Sequence, residues 1–477
     1  MNLDGLNGWG WLYFAAEWTI RLAMLVVIPF RRTPDAAKSW LLLFFFLPLF
    51  ALPLYLVIGR PDHARWRKKL IGKIQDVTRA LRQEVNRSSH CKRPLLSANL
   101  QPGADLIAGL GDFPAMTGNK VELLAEYGIS IDRLVRDIEE SQHTVHLLYY
   151  IFSDDEIGRK IMSALIAAAQ RGVNCRVLID AVGSQKWAGS VISALRGTGV
   201  EAHEIMPVGL FRRRTRLDLR NHRKLAIIDS RVGFIGSQNI VAATATSSNP
   251  NRELVARIDG PLALEMQCVF AGDWFLETEQ KPDRAWLGPH RHPGTGTIGQ
   301  LLASGPDQGA DAITRLLVAF IHGAKSQVTI VTPYFIPDIS LQLSLTTAAL
   351  RNVQVDLIVP EVGNQWLVQL AQRSYLQDLL EVGVRIHFYR SEFLHAKHIT
   401  IDDEIAILGS SNVDIRSFKL NAELNVIFFD KVVTANLTSL QHKYISESKQ
   451  LLANEWNKRP VALQWAEKLA ALVSPLL

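Results

Sequence analysis

The chain has 477 residues, 48% hydrophobic and 21% charged, with 52 Lys and Arg against 46 Asp and Glu for a formal charge of +6. That composition excludes a disordered chain and supplies apolar material for a large core, and the modest positive charge favours acidic partners such as phosphates or anionic lipid. Cys91, Cys175 and Cys268 are far apart and odd in number, which excludes a disulfide framework and zinc-ligand spacing and fits a body in a reducing compartment.

The N-terminus reads as membrane-associated. Trp9 to Phe30 is apolar but carries Glu17 and Arg21, four apart and so able to pair on one helical face. It either spans with that pair masked or lies in the interface. Trp40 to Ile58 has no charge over 19 residues, long enough to cross a bilayer as a helix kinked at Pro48 and Pro53. Residues 1–60 are therefore expected to be an anchor of two hydrophobic helices. The connection holds Arg31, Arg32 and Lys38, whereas the following flank holds Arg60, Arg65, Arg67, Lys68, Lys69 and Lys73. The heavier flank predicts a cytoplasmic body and attraction to anionic headgroups.

Residues 61–115 read as a basic linker with a helix in its first half. Beyond it the pattern becomes α/β and repeats. Val145 to Phe152 predicts a strand, Gly158 to Arg171 a helix and Val173 to Asp180 a second strand. Val328 to Pro333, a helical stretch and Val353 to Val359 follow the same order. The expected halves are 116–295 and 296–477, an α/β duplication with pseudo-twofold symmetry around a shared cleft.

Each copy ends in one motif. The first is His222-x-Lys224-x4-Asp229 followed by Gly236-Ser237-x-Asn239; the second is His395-x-Lys397-x4-Asp402 followed by Gly409-Ser410-x-Asn412. His, Asp and Asn each recur at an offset of 173. Such a pattern arises at a given site with a probability of roughly 10⁻⁸, so two matched occurrences mark duplication. His and Lys two apart on a strand share a face. Two such pairs would surround one phosphodiester with cations, with Ser and Asn as further donors. One histidine would attack phosphorus while the other protonates the leaving alcohol. Asp229 and Asp402, beyond their strands, are grouped with the catalytic set but suit turn-fixing or charge balance better.

These motifs resemble the phospholipase D superfamily and, within it, the bacterial cardiolipin synthases. The resemblance runs almost end to end. It includes the hydrophobic N-terminal pair, Gly118-Asn119-Lys-Val, Tyr150-Ile-Phe and Asp180…Gly183-Ser184. Later come Thr332-Pro-Tyr-Phe-Ile-Pro-Asp338, the run from Gly409 to Glu423 and the closing Ser474-Pro-Leu-Leu477. It implies His222, Lys224, Asp229, His395, Lys397 and Asp402 as catalytic, and Ser237, Asn239, Ser410 and Asn412 as substrate donors. It also implies a downstream acidic residue holding each histidine, often across the halves; Glu423 fits that place well and Glu253 less well. The implied reaction joins two phosphatidylglycerol molecules into cardiolipin and glycerol through a phosphohistidine, with His222 or His395 as nucleophile, at the bacterial inner membrane.

The sequence offers no P-loop and no metal-ligand spacing, so neither cofactor nor metal is expected, and the partners expected are phosphatidylglycerol and other anionic lipids rather than nucleic acid. The basic run Arg212 to Arg220 is either a solvated loop or a lipid contact at the cleft rim. Rival readings are a hydrolase of the same superfamily, with water as acceptor, and a scaffold with a dead site, which the intact motifs disfavour.

Overall fold

The computed structural model describes residues 8–32, 34–59, 65–110, 113–208, 218–247, 249–287, 295–306 and 311–473. Arg60, Arg212 to Arg216 and the closing Ser474 to Leu477 lie outside the described residues.

One 15-stranded sheet runs through the body. From one edge the first half contributes Val200–Ile205, Asn174–Asp180, Thr144–Tyr149, Lys224–Ile228, Val232–Gly236, Val255–Asp259 and Met116–Leu124. The second half follows with Thr297–Ser304, Glu423–Phe428, Ile405–Gly409, His398–Ile401, Gln327–Val331, Gln354–Pro360 and Arg385–Tyr389, then Ser448–Gln450 at the edge. The order of the first seven strands is the mirror of the next seven. The halves join where Met116 pairs with Gly299 and Asn119 with Thr297 in antiparallel register. In each half the three outer strands of the repeat are parallel, with the intervening helices supplying the crossovers.

Strand alternation divides the core. Leu148, Leu225 and Ile227 face one cluster, which also takes Val331, Leu408 and Val426 from the second half. Leu147, Tyr149, Ala226 and Ile228 face the opposite layer, under the helices of the first half. The period of two thus gives each half a private layer and a shared one. Helix Leu262–Thr278 lies in the shared layer and is buried from Leu262 to Leu276. Two of its polar side chains pair with neighbouring elements, Gln267 with His146 at 2.9 Å and Asp273 with Arg223.

Residues 65–110 are more ordered than a linker. Helices Arg65–Val77, Arg79–Arg87 and Gln101–Leu110 dock on the body. Leu81 and Val85 enter the shared core, Ile107 packs in the second half's layer, and Arg67 pairs with Glu277 at 2.8 Å.

At the N-terminus, helix Gly8–Val27 is long and apolar enough to cross a membrane. The expected single helix from Trp40 to Ile58 is corrected to two, Pro34–Phe46 and Pro48–Ile58. The chain turns at Leu47 (φ −135°, ψ 59°), because Pro48 has no N–H to continue the first helix. The turn is sharp. Trp40 and Tyr55 pack edge-to-face with centroids 5.1 Å apart, whereas a straight helix would separate their Cα atoms by about 22 Å. These arms of about 20 and 16 Å are each shorter than the bilayer's hydrocarbon core of about 30 Å. At the bend Arg21 pairs with Glu17 at 3.1 Å and donates to the Phe45 carbonyl at 3.1 Å. A carbonyl left without a helical partner needs such a donor in an apolar medium.

Candidate active site

Both motifs open where the chain crosses between halves. Each histidine precedes its strand in a short extended segment that pairs with the opposite half. The His222 N–H donates to the Ala422 carbonyl and the His395 N–H to the Arg252 carbonyl, both at 2.9 Å. Ala422 and Arg252 each immediately precede a glutamate, so this register delivers the carboxylates to the rings. His222 Nδ1 lies 3.0 and 3.1 Å from the two oxygens of Glu423, and His395 Nδ1 lies 2.7 Å from Glu253 Oε1. The pairing is crosswise, and Glu253 occupies the same place as Glu423.

An ionised carboxylate only accepts hydrogen bonds, so each neutral ring carries its proton on Nδ1 and leaves Nε2 bare. The rings are 12 and 13% exposed, while the glutamates behind them are buried. Burial pushes both imidazoles down, His222 to about 4, against the raising effect of their glutamates. Burial would raise the two carboxyls, but His395 and Lys397 hold Glu253 below the usual range, and His222 and Lys224 do so for Glu423.

Beneath the rings lie the lysines. Lys224 Nζ donates to the His222 carbonyl at 2.7 Å and Lys397 Nζ to the His395 carbonyl at 2.6 Å. Burial lowers Lys224 to about 7 and Lys397 to about 8. Tyr150 packs edge-to-face on His222 at 4.8 Å, with Lys224 Nζ 5.2 Å from its ring centre.

The histidines open on a cleft of about 350 Å³ whose lining includes Asn239, Asn412, Arg220 and Arg416. Arg220 is the described end of the basic run, and it is held by Asp180, whose oxygens also accept the Asn221, Val182 and Gly183 N–H groups. Tyr150, Tyr334, Arg416 and Asp180 have no counterpart among the site residues read from sequence. Arg223 is another. Its guanidinium points away from the cleft, to Asp273 and the Glu423 carbonyl at 3.2 Å, tying the first motif to the central helix and the opposite half.

The donor role expected of the two serines is corrected, and the contacts of the two aspartates fit the turn-fixing role over the catalytic one. Ser237 and Ser410 are fully buried, so neither reaches the cleft. Ser410 donates to Glu423 at 2.5 Å, and the Leu254 and Leu424 N–H groups donate to Ser237 and Ser410 at 2.9 and 3.0 Å. The adjoining glycines serve the same contact: a Cβ on Gly236 would meet the Leu254 carbonyl at 2.2 Å, and one on Gly409 the Leu424 carbonyl at 2.4 Å. Asp229 and Asp402 lie at the far ends of their strands, about 16 Å of extended chain from the lysines. Asp229 accepts the Gln142, His143 and Thr144 N–H groups at 2.7–2.9 Å. Asp402 does the same for Lys325, Ser326 and Gln327 at 2.6–2.9 Å. With every contact made to a strand start, they hold the repeat together and touch no reacting group.

Two mirrored α/β halves with a crosswise pair of His–Glu dyads define a phospholipase D-like enzyme. A family model described as "Cardiolipin synthase, PLD-like domain" matches residues 134–274 and 317–444. The chain is 32% identical over 478 residues to cardiolipin synthase A of Serratia proteamaculans, covering 98% of each. It is equally identical over 485 residues to that of Yersinia pseudotuberculosis, covering 100% of this chain and 99% of the relative. A phosphatidylserine synthase crystal structure from Haemophilus influenzae shares the fold at a TM-score of 0.63 and 16% identity, over 79% of this chain and 99% of that one. The chain belongs to the cardiolipin synthase family of phospholipase D-type phosphatidyltransferases.

Proposed function

We propose that this protein makes cardiolipin from two molecules of phosphatidylglycerol through a phosphatidyl-histidine, with its body on the cytoplasmic face of the bacterial inner membrane. The observation that carries the reading is the pair of histidines on one cleft, each with Nδ1 committed to a glutamate and Nε2 free. Following the assignment that the family resemblance implies, His222 takes the nucleophile's role. Its Nε2 attacks phosphorus and the bond to the headgroup glycerol breaks. His395, protonated once the anionic phosphodiester is bound, gives its proton to the departing glycerol oxygen. It then removes the proton from the terminal hydroxyl of the second phosphatidylglycerol. That oxygen attacks phosphorus, the P–N bond breaks, and His222 returns to its neutral form.

Lysine carries three donors, so Lys224 and Lys397 keep two each for the phosphoryl oxygens after binding their histidine carbonyls. With Arg220, Arg416, Asn239 and Asn412 around the cleft, the negative charge meets fixed donors. No step requires a metal or nucleotide. Purified enzyme given phosphatidylglycerol alone should release cardiolipin and glycerol in equal amounts; phosphatidic acid as the main product would replace this reading with hydrolysis.

A further inference from the structure

Helix Val461–Val473 is turned inside out for a helix in water. Its body-facing side carries Glu467, 2% exposed, paired with Arg373 at 2.7 Å and with Arg459. Its outward side carries Val461, Trp465, Leu469 and Leu472, which are 67, 67, 58 and 54% exposed. Their spacing of four, four and three makes a single stripe. Burying apolar side chains of this size is favourable, so a stripe left in water forgoes that stabilisation.

Two contacts say what covers it. Ser39 donates to the Leu472 carbonyl at 3.2 Å, so the stripe abuts the hydrophobic N-terminal helix Pro34–Phe46. On its inner side Ala470 shares an apolar cluster with Ile336, Val368 and Ile415, and these three line the cleft. The exposed stripe and the cleft wall are thus joined by apolar side chains.

We propose that helix Val461–Val473 lies in the membrane interface, with the stripe against acyl chains. The strip through Ile336, Val368 and Ile415 then takes phospholipid chains from the bilayer to the cleft. The occupant is a bilayer rather than a second copy, because the stripe continues a surface that already needs lipid. Exposed Lys458 and Lys468 suit anionic headgroups at its edge. The inference rests on the phospholipid-substrate reading above.

The test uses full-length protein in phosphatidylglycerol vesicles containing a phospholipid with a diazirine on its acyl chain. Irradiation should label 461–473 together with the N-terminal helices. Labelling confined to the N-terminal helices, or cross-linking of two copies at 461–473, would overturn the proposal. In parallel, the pair Trp465→Glu, Leu469→Glu is compared with Trp465→Phe, Leu469→Met. The acidic pair should lower the rate on vesicles about tenfold, the equivalent of about 1.4 kcal/mol. It should leave the rate on monomeric short-chain phosphatidylglycerol unchanged, and the conservative pair should keep both. Equal vesicle rates would overturn the proposal. If the acidic pair misfolds and loses both rates, the labelling of unsubstituted protein decides. Absence of cardiolipin from unsubstituted enzyme on the monomeric lipid would count against the function and not against the docking.

Discussion

His222 and His395 cannot be assigned a role apart from the glutamates that fix their tautomers. Glu423→Gln and Glu253→Gln should each cut turnover about 100-fold or more while leaving the apparent affinity for phosphatidylglycerol nearly unchanged, as expected when a ring loses its correct tautomer. Steady-state rates on detergent-dispersed lipid check this; near-normal turnover in either variant would reduce the carboxylate to packing. Asp229 and Asp402 should behave differently. Asp229→Ala or Asp402→Ala strands several backbone N–H groups and should lower stability by about 1–2 kcal/mol, with turnover per folded enzyme retained. Thermal unfolding beside a rate on the folded fraction separates the two effects. The Asp402 carboxyl is held below its ordinary range by the Gln327, Lys325 and Ser326 N–H groups, which outweigh burial. Its stabilising contribution is therefore full above the unfolded carboxylate range and fades as pH falls through its folded value.

The pH profile follows from burial at the same residues. The free enzyme needs charged lysines and a neutral nucleophile. As pH rises, Lys224 at about 7 and Lys397 at about 8 lose their protons, so kcat/KM should fall on the alkaline side. As pH falls, His222 gains a proton near 4, which sets the acid limb. A bound phosphodiester anion favours the protonated form of each group, so the alkaline limb of kcat should lie at higher pH than that of kcat/KM. Superimposed alkaline limbs would contradict this account.

At the scale of elements, the bend at Leu47 changes how the N-terminus meets the membrane. The count of basic residues on the two sides of the second hydrophobic segment supposes one continuous, kinked span. With Trp40 against Tyr55 and Ser39 on Leu472, the connection bearing Lys38 returns to the side of the body. A cysteine at position 38 should therefore be modified by an impermeant maleimide from the same membrane side as a cysteine at position 73. Modification from opposite sides would restore the continuous span. Hydropathy found the apolar run but not the turn, because Pro48 permits either a kink or a reversal. The reversal depends on aromatic contacts fifteen residues apart and on Arg21 reaching the Phe45 carbonyl. The segment after it reads as a basic linker with one helix in its first half, because Leu81 and Val85 are sparse among charged neighbours. Their burial depends on the central helix, which lies far away in sequence.

For the whole molecule, the constant offset of 173 makes the duplication, the mirrored halves and the two motif pairs legible in the sequence. What it hid was the exchange of glutamates. Asn251-Arg-Glu253 and Asn421-Ala-Glu423 recur at an offset of 170 instead, since the two loops after Asn239 and Asn412 differ by three residues. The shared Asn-x-Glu pattern is the signal that could have matched Glu253 to Glu423. Its crosswise use arises only from the backbone pairing of each glutamate segment with the other half's histidine segment. Tyr334 and Arg416 carry no sequence signal of a site role, because only the meeting of the two halves sets them on one cleft with Tyr150 and Arg220. The single shared cleft leads to one central claim, that both displacements occur at one phosphorus atom with a histidine between them. The stereochemical course of transfer tests it most directly, using phosphatidylglycerol made chiral at phosphorus as a phosphorothioate. Two successive in-line displacements predict a product with retained configuration; inversion would mean direct attack by the second lipid and would contradict the phosphatidyl-histidine.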